Sequence, residues 1–257
     1  MEINCPICKS PTSFLTQKKD RFGQEYDYFA CENCRFLFEK GVVENRGLLI
    51  EKVSKVYGKD YFEKIDTGWQ GRGDSALKVI NAFIKIYGYF KNKVTVLDYG
   101  AGNGYVTAKI KTNGTVFYYD SYEKPTYLGN YTVLQEPQNA DVIYAIELVE
   151  HLTDASEWDF LQTLSPNVFI FTTGLSDNIP ETELAQWTYL DPDAGHTSLY
   201  STKSLHILAK KYGFMYFFFP NISCHIFLRN RFLSGINFVV VEYFLYSIVR
   251  NITRFFR

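Results

Sequence analysis

The stretch Val94-Thr95-Val96-Leu97-Asp98-Tyr99-Gly100-Ala101-Gly102-Asn103-Gly104 decides the fold. The apolar run Val94 to Leu97 reads as a short buried strand with an acid, Asp98, at its C-terminal end. Glycines then stand at alternate positions, 100, 102 and 104. The segment that follows, Tyr105 to Lys111, spaces its apolar residues as a helix would. Strand, glycine turn and helix make the first unit of an open parallel sheet. Glycine lets the backbone approach a ligand closely and take dihedrals closed to other residues.

The spacing separates two ligand classes. A dinucleotide turn has the form G-x-G-x-x-G and leaves a helix N-terminus for a pyrophosphate. Here the form is D-x-G-x-G-x-G. An anion ahead of the turn suits a ligand with a cationic amine better than one with phosphates. The pattern resembles the first motif of class I methyltransferases that use S-adenosylmethionine (SAM). That resemblance implies that Asp98, Gly100, Gly102 and Gly104 bind SAM. Thr115 to Asp120 reads as the second strand, and its terminal acid, Asp120, is placed to accept both ribose hydroxyls as the Rossmann acid does. Ahead of the turn, Asp74 or Ser75 can cap a helix from Ala76, with Leu77, Ile80, Ile84 and Tyr87 on one face. Arg72 precedes that helix; in similar methyltransferases an arginine near here holds the SAM carboxylate.

Further along, Tyr131–Leu134, Asp141–Ile146 and Asn167–Thr172 read as strands, and Trp158–Leu164 and Ser204–Tyr212 as helices, the latter closed by Gly213. Phe214–Phe219 and Ile222–Leu228 pair antiparallel at the end. This predicts the α/β class: a Rossmann-like seven-stranded methyltransferase sheet.

Two cysteine pairs, Cys5-x-x-Cys8 and Cys31-x-x-Cys34, lie 22 residues apart near the N-terminus. Thiolates at i and i+3 on a tight turn reach one metal from the same side, and two such turns complete a tetrahedron. Zinc is the expected ion. Short alternating runs at Tyr26–Ala30 and Phe36–Phe38 make this a zinc ribbon. The expected division is ribbon 1–45, methyltransferase domain 46–230 and an amphipathic C-terminal helix 231–257. Cys224 reads as a buried apolar residue.

The fourth strand runs into Glu147-Leu-Val-Glu150-His151. Ligands of open parallel sheets bind beyond the carboxyl ends of the strands, so these residues leave the sheet where the methyl group is expected. Two carboxylates and an imidazole suit a divalent cation, Mg or Mn, and His196 is a fourth candidate. The run E-x-x-E-H is similar to that of metal-assisted O-methyltransferases of RNA termini and of catechol-like ubiquinone precursors. It is also similar to methyltransferases with no metal there. Three readings therefore stand: a cation on Glu147, Glu150, His151 and His196; His151 or His196 as a metal-free base; or a structural role. His206 and His225 read as surface or packed histidines.

The ribbon followed by this pattern resembles bacterial methyltransferases of sugar and natural-product pathways. That resemblance implies a sugar or glycan-precursor hydroxyl as acceptor, with nucleotide-sugar C-methylation as the alternative. The C-methylating group continues into a large C-terminal domain, whereas this sequence stops soon after the sheet, which weakens the expectation of C-methylation. Lys9 and Arg35 stand where glycine often follows each cysteine pair. A non-catalytic SAM-binding scaffold is the remaining rival.

Bulk properties fit one domain plus a small one. The chain has 257 residues, a formal net charge of −1 and 21% charged residues, with 20 Tyr and 22 Phe. Near-neutral charge argues against a nucleic-acid partner. The N-terminus has no apolar signal region, so a cytoplasmic, reducing setting is expected. The apolar run Phe238–Val249, broken by Glu242 and flanked by arginines, is too short to span a bilayer, which takes about 20 residues. It suits either a peripheral contact with an anionic membrane or a protein contact such as a homodimer.

Overall fold

The computed structural model describes residues 3–55, 68–88, 91–220 and 223–229. The expected tail 231–257 lies outside them. In chain order the strands are β1 (Thr12–Lys19), β2 (Glu25–Cys31), β3 (Leu37–Glu39), β4 (Val96–Tyr99), β5 (Val116–Tyr119), β6 (Thr132–Val133), β7 (Val142–Ile146), β8 (Val168–Thr172), β9 (Ser198–Leu199), β10 (Phe214–Phe219) and β11 (Cys224–Arg229). The α-helices are α1 (Gly41–Glu44), α2 (Arg46–Ser54), α3 (Trp69–Tyr87), α4 (Phe160–Thr163) and α5 (Thr202–Lys211). The chain divides into two units, one of Met1–Trp69, Glu147–Asp159 and Thr173–Lys211, the other of Gln70–Ile146, Phe160–Thr172 and Tyr212–Arg257.

The second unit holds a seven-stranded sheet in the order β10-β11-β8-β7-β4-β5-β6. The pairs β4/β5, β4/β7, β5/β6 and β7/β8 are parallel, and β11 runs antiparallel to both its neighbours. This is the expected α/β architecture, antiparallel closing pair included. The strand order reverses at β4. Open sheets bind ligands beyond the carboxyl ends of the strands at such a reversal. The register of β4 against β7 is fixed at their other end: the Asp141 carboxylate accepts from the Thr95 N–H and hydroxyl and from the Lys91 ammonium. Alternation places Val96, Val142, Tyr144, Val168, Ile170 and Ile226 on one face. There they pack with Ala76, Val79, Ile80, Phe83 and Ile84 of α3 in one apolar core.

Three sequence expectations shift. First, α3 starts at Trp69, seven residues before Ala76, so Asp74 and Ser75 are inside the helix instead of capping it. Gly73, inside the helix, lies close to Val106: a Cβ there would stand 3.0 Å from Val106 Cγ2. Asp74 is used elsewhere, accepting from the Tyr105 hydroxyl and the Lys109 ammonium. Second, only the short 3-10 turn Thr107–Lys109 forms where a helix is expected over Tyr105–Lys111. The Thr107 side chain is taken by Asp98, and the chain must reach β5 within a few residues. Third, Trp158–Leu164 splits into a 3-10 segment, Ala155–Asp159, and α4. The Gly213 closure of α5 is as expected, with φ 77°.

The first unit is built on a four-stranded antiparallel sheet, β1-β2-β3-β9. Strand β1 and the remote fourth strand β9 had no clear signal in the sequence. Tyr26, Tyr28, Phe36 and Phe38 are buried in it, and Phe36 lies against Tyr200 with ring centroids 5.1 Å apart. Among the described residues no helix is long and apolar enough to cross a membrane.

Candidate active site

The glycine turn leaves β4 with all three glycines in the left-handed region, Gly100 at φ 75°, Gly102 at 54° and Gly104 at 82°. A side chain at any of them would be strained, which explains the glycine at every other position. Asp120, at the end of β5, fixes the turn from the side. One carboxylate oxygen accepts from Gly102 N–H at 2.8 Å, and the other from Tyr122 and Glu123 N–H, both at 2.8 Å. A carboxylate has about four acceptor sites and three are taken here, so one ligand hydroxyl fits as the turn stands, and a vicinal second one fits by displacing one of the two N–H groups that share an oxygen. The Tyr118 hydroxyl donates to the Gly102 carbonyl at 2.6 Å.

Asp98 lies beneath the turn, 2% exposed. Its Oδ2 accepts from Thr107 Oγ1 at 2.5 Å and from the Tyr144 hydroxyl at 2.8 Å. Burial pushes its carboxyl up to about 7, against the pull of those two hydrogen bonds. Such an acid, raised above its unfolded value of about 3.9, favours the folded state most at low pH and loses that contribution as pH climbs toward 7. Asp98→Asn removes the ionisation and keeps an acceptor. Urea titrations should therefore show this variant gaining stability relative to the parent between pH 4 and pH 8, by up to about 4 kcal/mol. A pH-independent difference would contradict the assignment.

Arg72 lies half-buried in the first turns of α3, one residue before the Gly73 contact with Tyr105 and Val106. The sequence-predicted residues 72, 98, 100, 102, 104 and 120 thus all belong to the unit that carries the seven-stranded sheet.

In the other unit, Glu150, His151 and His196 each bring a potential ligand atom within 4.8 Å of the others. Glu150 is fully buried and His196 is 8% exposed. Residues 149–151 form a 3-10 turn, and side chains from the segment after His196 hold it. Thr197 N–H donates to the Glu150 carbonyl, the Thr197 and Ser198 hydroxyls to the Leu152 carbonyl, and the Tyr200 hydroxyl to the Val149 carbonyl. Each imidazole has its Nδ1 on a backbone carbonyl: His196 on Tyr189 at 2.7 Å, His151 on Gly195 at 3.2 Å. A carbonyl can only accept, so both Nδ1 atoms carry a proton, and in the neutral imidazole Nε2 is the acceptor atom. On metal-binding histidines, an acceptor on the ring nitrogen away from the metal sets the same tautomer.

Glu147 stands outside this trio. It has φ 50°, an unfavourable backbone for a glutamate, of the kind that clusters at functional sites. Tyr189 links it to the others: the phenol donates to Glu150 Oε1 and lies 3.5 Å from Glu147 Oε2. Burial, with both carboxylates adding, holds the Tyr189 hydroxyl well above its ordinary value, so it stays a donor. Gly174 makes room for the ring; a Cβ there would stand 2.8 Å from it. Tyr189 and the Asp98 partners, Thr107 and Tyr144, are the residues sequence reading missed. The chance of finding Tyr144 lay in its alternation within β7; Tyr189 carried no local signal.

The four cysteines form no disulfide, and their sulfurs lie within 4.8 Å of one another, with Cys5–Cys34 at 3.6 Å and Cys8–Cys31 at 3.4 Å. A tetrahedral zinc with bonds of about 2.3 Å separates its sulfurs by roughly 3.8 Å, so the spacing fits. Lys9 at φ 65° and Arg35 at φ 56° adopt the left-handed conformation that suits the glycine often found at those positions. Their N–H groups close matching turns on the Cys5 and Cys31 carbonyls. The Cys34 hydrogen bond pulls the Cys5 thiol down to about 5, while Cys34 itself is pushed up, as one proton shared between two close thiols requires.

Residues 61–216 match the family described as methyltransferase domain. No curated protein matches the chain. Similar solved structures include magnesium protoporphyrin IX methyltransferase (ChlM) from Synechocystis PCC 6803 with bound S-adenosylhomocysteine (SAH), at 12% identity over 72% of this chain and 96% of that one, TM-score 0.45. The plantazolicin methyltransferase BpumL, in complex with a monoazolic desmethylPZN analog and SAH, shares 16% identity over 73% of this chain and 98% of that one, TM-score 0.45. An O-methyltransferase family protein from Burkholderia thailandensis shares 13% over 72% and 68%, TM-score 0.41. Likeness at this level bears on neither substrate nor residue roles.

Proposed function

The chain belongs to the methyltransferase-domain family and is a SAM-dependent methyltransferase; from that premise we propose that it transfers the methyl group to a hydroxyl of a sugar or glycan precursor. The observation that carries the cofactor assignment is the left-handed glycine turn, tied to Asp120 through Gly102 N–H at the point where the strand order reverses. On this reading Asp120 accepts the ribose hydroxyls. The glycine backbone lies along the amino-acid half, the ligand's ammonium favours the ionised form of the buried Asp98, and Arg72 takes the ligand's carboxylate.

SAM supplies an electrophilic methyl group: an O–C bond forms as the S–C bond breaks, leaving SAH. The acceptor hydroxyl must lose its proton. His196 takes it, since its Nδ1 is committed to a carbonyl and its Nε2 lone pair is fixed in direction. As an alternative to that base, Glu150, His151 and His196 fit a divalent cation, Mg or Mn, in donor type and spacing, with Glu147 supporting through Tyr189; the His196 Nε2 would then be a ligand and not the proton acceptor. When bound, such a cation supplies Lewis acidity that lowers the pKa of a ligated hydroxyl. Cys5, Cys8, Cys31 and Cys34 hold zinc as a structural ion.

His196→Ala should lower turnover by about 10²- to 10⁴-fold and leave SAM affinity unchanged, as loss of a proton acceptor does. Labelled-SAM turnover on a panel of sugar acceptors, with calorimetry for SAM, checks both. Activity that survives EDTA together with Glu150→Ala would remove the cation reading. Full turnover in His196→Ala would remove the base.

A further inference from the structure

Several of the bonds that orient His196 trace back to the cysteine ribbon, within one unit. The carbonyl that receives its Nδ1 proton belongs to Tyr189. That residue lies in a turn whose Trp187 and Leu190 carbonyls are both taken by the Lys18 ammonium of β1, at 3.3 Å and 2.6 Å. The His196 carbonyl itself accepts from the Tyr28 hydroxyl of β2 at 2.8 Å, in a fully buried bond. The next residue, Thr197, accepts through its carbonyl from Glu39 N–H at 2.9 Å. Beyond it, Ser198 and Leu199 are β9 and pair with Phe38 and Leu37 of β3. Arg21 N–H holds Asp193 at 2.7 Å. The cysteines bracket this apparatus: Cys31 ends β2, Cys34 stands just ahead of β3, and the Ser201 hydroxyl donates to the Cys34 carbonyl.

We propose that the four-cysteine ribbon is the positioning element of the His196 loop, acting through Tyr28 and Lys18. It is not an appendage beside the site; its sheet continues into the loop as a fourth strand, so its folding fixes where the imidazole points. The inference rests on the reading of His196 as a site residue. It adds two positioning residues that touch neither cofactor nor acceptor. The ribbon metal then governs the second site through backbone geometry, and loss of that metal releases both.

The test uses the full chain with its metal in place. Tyr28→Phe deletes only the hydroxyl. Lys18→Met deletes the two carbonyl contacts, and Lys18→Arg keeps a cation with several donors. Two quantities are read: hydrogen exchange of the peptide spanning 189–198, and Mn2+ affinity by electron paramagnetic resonance. Tyr28→Phe and Lys18→Met should speed exchange in that peptide and weaken Mn2+ binding about tenfold or more, as outer-shell losses do. Zinc content and SAM affinity should stay at parental values, and Lys18→Arg should stay near the parent in both readings. Unchanged exchange in 189–198 in both Tyr28→Phe and Lys18→Met overturns the proposal. So does faster exchange spread evenly over the whole chain, which marks a merely stabilising role. Exchange requires neither cation nor acceptor, so it decides the positioning role even where the cation or acceptor reading fails.

Discussion

Asp120→Ala lowers SAM affinity by a hundredfold or more. Hydrogen bonds to an ionised acceptor contribute about 1.5–3 kcal/mol each, and the ribose offers two hydroxyls. Their loss alone costs about 3 kcal/mol, or roughly two decades in Kd. The real loss is larger, because the same carboxylate receives the Gly102, Tyr122 and Glu123 N–H groups and so holds the glycine turn against the loop after β5. Asp120→Asn separates the two contributions. Its single carbonyl oxygen can serve either Gly102 or the Tyr122/Glu123 pair, and its NH2 faces a donor at the other position. An intermediate affinity is expected. Calorimetric titration with SAM measures both variants, with urea unfolding to show that they fold. An affinity within threefold of the parent in Asp120→Ala would contradict the ribose assignment.

The second large effect belongs to the cysteines. A structural zinc contributes about 10–16 kcal/mol of binding free energy to small zinc domains, most of it available as folding energy. The ribbon sheet has a small core of Tyr26, Tyr28, Phe36 and Phe38. Cys34→Ser removes a buried ligand and with it the tetrahedral set. Losing even about 5 kcal/mol should lower Tm by about 10–20 °C in a unit of this size. Because β3 pairs with β9, the loss should spread to residues 197–199 and the His196 loop. Thermal unfolding followed by near-ultraviolet circular dichroism, with metal content by mass spectrometry, checks this. One zinc per chain in the parent, none in the variant and a lower Tm is the expected set. A parent chain without zinc, or a variant of equal Tm, contradicts it.

What could be read from the chain, and what could not, follows from the range of the interactions. Strand β4, its glycine turn and Asp120 are encoded within a few dozen residues, by glycine dihedrals and strand alternation, and they were legible. The cysteine pairs were legible because metal-ligand spacing is local. Helix α3 was read with its apolar face right and its start wrong: Asp74 looks like a cap, but it is spent on Tyr105 and Lys109, a tertiary preference that no local pattern states. The segment after Gly104 has helical periodicity, yet Thr107 turns inward to Asp98 and the helix stops at one turn. Tyr189 and β9 were invisible for the same reason. Each acts on residues tens of positions away, Tyr189 on Glu150 and Ser198 on Phe38. Glu147, Glu150, His151 and His196 were singled out together; three of them converge directly, and the fourth joins only through that tyrosine.

The most direct test of the central claim is a crystal structure of the chain with SAH. The expected result is the ribose hydroxyls on the Asp120 carboxylate and the amino-acid end along Gly100–Gly104. SAH bound away from that turn, or a turn filled by the protein's own Pro125–Tyr127 segment while SAH is absent at saturating concentration, would contradict it.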